Sequence, residues 1–369
     1  MSEHRPPRRR LLIVFGGRSA EHEVSVISAR SVLETLDPER YEVITVGIDK
    51  QGRWHRVAAL PAPETATGAL PAVETGSGPG VALARDPGEH AIVGEDGTRT
   101  DIDVVFPILH GPYGEDGTIQ GMLELAGLPY VGAGVLASAV GMDKAVQKVL
   151  FTAAGLPVAP WEEVRDRDWE EDREDVEARV QALGFPVFVK PAALGSSVGI
   201  SKVKEPDHLA PAIEDALSYG AKAVVEASIE GSREVECAVL GNDDPVASLP
   251  GEILPGAEFY DYAAKYLDDS TRLEVPADLP DDVVERVQSM AVRAFRAIDA
   301  AGMARVDFFY RAPGELLLNE INTIPGFTPV SMYPMMWEAS GLAYPDLIER
   351  LIDLAIERHE RDRKRGRVL

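Results

Sequence analysis

Leu11–Phe15 is an unbroken apolar run that ends in Gly16-Gly17. Ser25–Leu36 follows with helical spacing of Val26, Ala29, Val32, Leu33 and Leu36, and Tyr41–Ile48 is a second β-branched run. A strand, a helix and a strand this close together form a βαβ unit. That unit forces a right-handed crossover and a parallel sheet buried on both faces. Val104–Leu109 adds another such strand, closing at His110-Gly111. The fold class is therefore α/β. A dinucleotide fold would continue Gly-x-Gly-x-x-Gly after the first strand. The chain instead reads Gly16-Gly17-Arg18-Ser19-Ala20-Glu21.

With 369 residues the chain has material for two or three domains. Its 37 Lys and Arg against 61 Asp and Glu leave a net charge of −24. That argues against nucleic-acid binding, which demands clustered cations, but not against a phosphorylated small ligand. The single cysteine, Cys237, excludes an intramolecular disulfide and a Cys-rich zinc site, and its run Val235–Leu240 reads as core. No apolar stretch approaches the roughly 18 residues of a membrane span. Arg5 and Arg8–Arg10 precede too short an apolar run for an export signal, so residues 1–10 read as a frayed tail of a cytoplasmic protein.

Residues 56–100 include Pro61–Gly80, with four Pro and four Gly, and read as a surface excursion without regular elements. Ala137–Ala153 reads as one helix stopped by Gly155-Leu156-Pro157, and Val158–Trp161 begins a new segment. Arg165–Arg179 is a solvated, charged stretch. Phe185–Lys190 and Val198–Val203 read as strands around a Gly-Ser turn, with further strands at Ala223–Glu226 and Glu234–Leu240. Val283–Ile298 is the clearest amphipathic helix.

Met303–Tyr310 and Glu315–Asn322 read as a hairpin across Ala312-Pro313-Gly314. Alternation puts Arg305 and Asp307 on one face, and Glu320 and Asn322 on one face in line with Leu316 and Leu318. Hard oxygen donors beside an arginine suit Mg²⁺ holding nucleotide phosphates; a cross-strand salt bridge to Arg305 is the plainer alternative. Lys190 ends a strand before the small-residue turn Pro191–Gly199, whose N–H groups could lie along a triphosphate. Glu226 and Glu234 flank a strand exit that could hold adenine and ribose, or are simply exposed glutamates. Glu21 sits where it could meet an ammonium or cap a helix. His110–Gly117 closes a strand with polar groups in a glycine-rich loop. Tyr260–Tyr266 reads as an aromatic lid with Lys265 facing a phosphate, or as a packed loop.

In order along the chain, Gly16–Ser25, His110–Gly117, Met142-Asp143-Lys144, Lys190–Gly199, Tyr260–Tyr266, Arg305–Asp307 and Asn319–Gly326 resemble the D-alanine–D-alanine ligases of the ATP-grasp superfamily. The resemblance implies three α/β domains with an ATP-grasp fold and a Rossmann-like, parallel-sheet first domain. We place them at 11–140 (substrate), 141–228 (central ATP-grasp) and 229–369 (ATP-grasp with the metal site). It implies synthesis of D-alanyl-D-alanine from ATP and two D-alanines through a D-alanyl phosphate, releasing ADP and phosphate, for peptidoglycan in the cytoplasm. A homodimer is implied as well.

The roles that the resemblance carries are as follows. Lys144, Lys190, Glu226, Glu234, Lys265 and Asn319 bind ATP. Asp307, Glu320 and Asn322 hold two Mg²⁺ (or Mn²⁺). Glu21, Ser196 and Tyr266 form a hydrogen-bonded set closing the lid, and Glu21 receives the first ammonium. Arg305 and the Gly326 N–H stabilise an oxyanion. His110, Ser331 and Met332 line the substrate pocket. A D-alanine–D-lactate ligase and a catalytically silent nucleotide-binding regulator are the alternatives. Tyr266 favours the dipeptide, and the intact lysines and carboxylates argue against silence.

Overall fold

The structure is a computed structural model that describes residues 8–61, 70–254 and 272–366. β1 (Arg9–Gly16), α1 (His22–Thr35) and β2 (Tyr41–Ile48) form the expected βαβ unit, with β1 and β2 parallel. β3 (Trp54–Arg56) runs antiparallel to β2. β4 (Val81–Leu83), β5 (Ala91–Gly94) and β6 (Arg99–Asp101) make a small antiparallel sheet. β7 (Val104–Ile108) then returns to pair in parallel with β1. Leu11–Phe15 have no exposure at all, as strands covered on both faces require.

Residues 56–100 therefore do contain regular structure, contrary to the sequence expectation. Strands of three or four residues between Pro and Gly carry too little alternation to be read. A buried polar cluster helps fix the segment. Asp49, fully buried, accepts from Gln51 N, Arg53 N, Thr75 Oγ1 (3.0 Å) and His55 Nε2 (3.1 Å). His55 Nδ1 meets Gly78 O at 3.2 Å. Burial alone would raise the Asp49 carboxyl, but these hydrogen bonds outweigh it and hold it at about 2. Asp49→Ala leaves His55 and two N–H groups buried without their acceptor. It should destabilise the protein by about 3 kcal/mol, measured by urea unfolding at neutral pH; a loss within about 0.5 kcal/mol would make the cluster incidental.

α2 (Thr118–Leu125) precedes two helices where the spacing predicts one, α3 (Val135–Met142) and α4 (Lys144–Ala153). Asp143 breaks them. Its backbone is extended, and its Oδ1 accepts from Ala145 N and Val146 N, each at 3.1 Å. This is an N-cap inside a run whose apolar spacing continues, so periodicity conceals it.

β8 (Trp161–Arg165), α5 (Asp166–Glu171), α6 (Arg173–Gln181), β9 (Val187–Pro191), β10 (Ser201–Val203), α7 (Leu209–Ser218) and β11 (Lys222–Ala227) follow. Their antiparallel sheet has the order β10-β9-β11-β8. Val198–Ile200 lies in the turn rather than in the expected strand.

β12 (Arg233–Gly241), β13 (Val246–Ala247), β14 (Gly251–Leu254), β15 (Arg272–Glu274), β16 (Gly302–Arg311) and β17 (Glu315–Asn322) make the largest sheet, ordered β15-β14-β12-β16-β17 with β13 on β12. α8 (Asp281–Ala297) covers one face through Val283, Val287, Met290 and Ala294. Cys237 lies in that core as expected, and burial pushes its thiol up to about 12. α9 (Met332–Ala339) and α10 (Tyr344–Lys364) pack back towards the first sheet, where Leu347, Leu351 and Ile352 share a core with Leu11, Ile13 and Phe106. The end of the chain thus braces its beginning.

Candidate active site

A cavity of about 690 Å³ opens where the central sheet, the large sheet and the loops after β1 and β7 meet. Every described residue given a site role lines it: Glu21, His110, Lys144, Lys190, Ser196, Glu226, Glu234, Arg305, Asp307, Asn319, Glu320, Asn322, Gly326, Ser331 and Met332. Lys265 and Tyr266 lie outside the described residues.

The carboxylate wall depends on one irregularity. β16 and β17 pair Asp307 with Glu320 and Arg305 with Asn322, but Phe308 pairs with Leu318. Asn319 is the extra residue of a β-bulge, which reverses the side-chain phase. Leu316 and Leu318 therefore point into the core behind the sheet, while Glu320 and Asn322 face the cavity. The expectation that they lie in line is corrected by this bulge. The partly buried Arg305 guanidinium contacts Asp307 through two bonds (2.8 and 2.7 Å) and Glu236 at 3.2 Å. Burial opposes its charge, but these carboxylates outweigh that and raise it well above the ordinary arginine range. The salt bridge is therefore present, within β16 to Asp307 and across to Glu236 on β12, and Asp307 lines the cavity as well.

No three His, Cys, Asp or Glu side chains converge on a metal-sized site among the described residues. Asp307, Glu320 and the Asn322 amide are all hard oxygen donors. They fit a cation that takes its remaining ligands from phosphate and water, the usual habit of Mg²⁺.

Beside that wall Lys144, at the start of α4, donates to Leu194 O at 2.7 Å and lies 3.5 Å from Glu320 Oε2. Lys190 ends β9 and meets Glu226 Oε2 at 3.0 Å. The other Glu226 oxygen meets Lys148 at 3.1 Å. Both Glu226 oxygens are therefore engaged by lysines of the protein. Its strand exit, Ala227–Ile229, still lines the cavity.

Glu21 precedes α1 but makes no side-chain cap. It accepts instead from Ser196 Oγ across the cavity. Glycine leaves it room on both sides: a Cβ on Gly111 would lie 2.9 Å, and one on Gly195 3.0 Å, from Glu21 Oε2, so either would displace that carboxylate from its present place. Ser196 is held at φ +50°, a conformation that non-glycine residues rarely adopt away from functional sites. His110 Nδ1 faces Ile324 O at 2.9 Å, and burial lowers its proton affinity. Ser331 immediately precedes α9 without capping it through its side chain, and its Oγ accepts from Thr328 N at 3.1 Å.

Two residues were missed. Glu115 is buried on the cavity wall; Gly111 N donates to its Oε1 at 3.1 Å, and its Oε2 has no hydrogen-bond partner. It lay in a quoted loop without a role. Lys148 stands one helical turn beyond Lys144, a spacing that could have flagged it.

Two antiparallel sheets that enclose a cleft of lysines and carboxylates, behind a parallel-sheet domain, define an ATP-grasp protein. The family model described as D-ala D-ala ligase N-terminus matches residues 10–133, and the one described as D-ala D-ala ligase C-terminus matches 150–353. The D-alanine--D-alanine ligase of Paenarthrobacter aurescens is 52% identical over 97% of this chain and 98% of its own, and that of Acetivibrio thermocellus 48% over 95% and 97%. The solved D-alanine-D-alanine ligase of Coxiella burnetii superposes with a TM-score of 0.84 at 39% identity, covering 98% of this chain and 97% of that one. The VanG D-Ala:D-Ser ligase of Enterococcus faecalis gives 0.83 at 35%, covering 95% and 100%. The chain belongs to the D-alanine–D-alanine ligase family.

Proposed function

We propose that this chain joins two D-alanines to D-alanyl-D-alanine at the expense of ATP, through a D-alanyl phosphate. The observation that carries this reading is the meeting, in one cavity, of the Glu21–Ser196 pair, the Lys144 and Lys190 ammoniums and the Asp307–Glu320 carboxylates.

A carboxylate is a poor acyl donor because oxide would have to leave; phosphorylation supplies a leaving group. Lys144 and Lys190 orient the phosphates and offset their charge. Asp307, Glu320 and Asn322 hold the divalent cations, Mg²⁺ or Mn²⁺, which supply charge neutralisation when bound. Glu21 takes the first ammonium and turns its carboxylate towards the phosphates. The amine of the second D-alanine attacks the acyl carbonyl, and Arg305 with the Gly326 N–H stabilises the oxyanion. Ser331 and Met332 seat the second amino acid, while Glu234 and Asn319 line the nucleotide end. Water must be kept from the acyl phosphate, and the Lys265–Tyr266 segment is assigned that closure.

Incubation with ATP, Mg²⁺ and D-alanine should yield ADP and dipeptide in equal amounts. Ester with added D-lactate and no dipeptide would make it a depsipeptide ligase; ATP binding without turnover would make it a regulator. Among the described residues no helix is long and apolar enough to cross a membrane. A reaction that consumes ATP supports a cytoplasmic location, which we propose with it. A second copy is proposed on the resemblance, and exposed Leu125, Leu136 and Val149 on α2, α3 and α4 are apolar side chains it could cover. Sedimentation should give twice the 39.9 kDa chain mass.

A further inference from the structure

We propose that Lys148 is a positioning residue: as the permanent counter-ion of Glu226, it lets Lys190 leave that carboxylate for the phosphates of ATP. This rests on the reading of Lys190 as a phosphate ligand.

The arrangement is a buried triad. The Lys148 side chain is 1% exposed, that of Glu226 4% and that of Lys190 11%. Each Glu226 oxygen takes one ammonium, Oε1 that of Lys148 at 3.1 Å and Oε2 that of Lys190 at 3.0 Å. Lys190 and Glu226 line the cavity, whereas Lys148 is not among its lining residues and its side chain is almost wholly buried. Burial, with the neighbouring Lys190 charge, holds the Lys148 ammonium below the ordinary lysine range, while Glu226, assisted by Glu320, favours its charge and limits that fall. Glu320 and Glu234 also favour the charge on Lys190. Glu226 stays ionised despite burial because two ammoniums face it.

Suppose Lys190 had Glu226 to itself. Swinging to a phosphate would strand a bare carboxylate in the interior, and breaking a buried pair in this way is strongly unfavourable. Lys190 would then be held by its own partner and weakened as a ligand. With Lys148 present, departure of Lys190 leaves a neutral Lys148–Glu226 pair, and the surplus positive charge of the triad goes where the phosphates need it. A single lysine on Glu226 would suffice for structure alone; the second makes one of them movable.

Lys148 also donates to Asn319 O at 3.3 Å, at the bulge that aims Glu320. A purely structural role through that bond is the rival account, and a double variant separates the two. Lys148→Met should raise the KM for ATP about tenfold or more while the KM for D-alanine stays within about twofold. Adding Glu226→Gln removes the carboxylate that traps Lys190, so Lys148→Met/Glu226→Gln should recover most of the lost ATP affinity. Lys148→Arg, which keeps the charge, should stay within about threefold of the unaltered enzyme. Titration of each variant with Mg²⁺ and a non-hydrolysable ATP analogue gives the same comparison without turnover.

Equal impairment of the single and double Met variants would assign Lys148 to the Asn319 bond and overturn the proposal. So would an unchanged KM for ATP in Lys148→Met, or failure of both Met variants to fold. Lys190→Met reports on the underlying reading. If it leaves ATP affinity unchanged, Lys190 is not a phosphate ligand and that reading fails, whatever the Lys148 variants do.

Discussion

Asp307→Asn and Glu320→Gln should each lower kcat by about a thousandfold or more, with circular dichroism and the unfolding midpoint close to those of the unaltered protein. The two residues face each other across β16 and β17 and both line the cavity. Each change removes one anionic oxygen set while preserving shape, so the loss is electrostatic rather than steric. The two variants should differ in one respect. Asp307 also carries Arg305 through two bonds, so Asp307→Asn loosens the oxyanion donor as well as the cation site. Glu320 meets Lys144 at 3.5 Å, and Glu320→Gln keeps both Asp307–Arg305 bonds, so Arg305 should stay in place. Raising Mg²⁺ should therefore rescue Glu320→Gln more than Asp307→Asn. Turnover within about tenfold of the unaltered enzyme in both would place the cation elsewhere.

The readable parts of this chain were those in which burial and periodicity agree. Leu11–Phe15 and Tyr41–Ile48 are buried strands whose apolar runs announce themselves, and the parallel pairing follows from the intervening helix. The α8 stripe at Val283, Val287, Met290 and Ala294 is legible for the same reason. The breaks in period were not legible. Asp143 caps a new helix through its own carboxylate, and Asn319 inserts a bulge; neither leaves a mark on the apolar pattern. The site residues were found through order and resemblance, since no spacing brings Glu21 to Ser196 across 175 positions. The groups that the sequence could not supply are buried charges, Lys148 and Glu115, whose importance comes from surroundings assembled only in the fold.

Glu115 should make the protein's stability fall with rising pH in a way that Glu115→Gln abolishes. Burial pushes its carboxyl up to about 8; the Glu21 charge adds to the rise, while the Gly111 N–H, Lys144 and Arg305 oppose it. The native state therefore holds this proton more tightly than the unfolded chain does. Its contribution to stability is complete below the ordinary glutamate value of 4.5 and is lost as pH climbs through about 8. Glutamine keeps the shape and cannot ionise. Across that window the unaltered protein should lose stability relative to Glu115→Gln by on the order of 4 kcal/mol, at roughly 1.4 kcal/mol per pH unit. Urea unfolding of both proteins from about pH 5 to 9 checks it, and parallel curves would show that Glu115 does not titrate in this range. The same proton has a consequence for the proposed reaction. An ammonium seated on Glu21 also favours ionised Glu115, so D-alanine binding near pH 7 should release protons into the buffer. Calorimetry in buffers of different ionisation enthalpy should show that release in the unaltered enzyme and nearly none in Glu115→Gln. Equal release from both would assign the proton to another group on the cavity wall, such as His110 on the same loop.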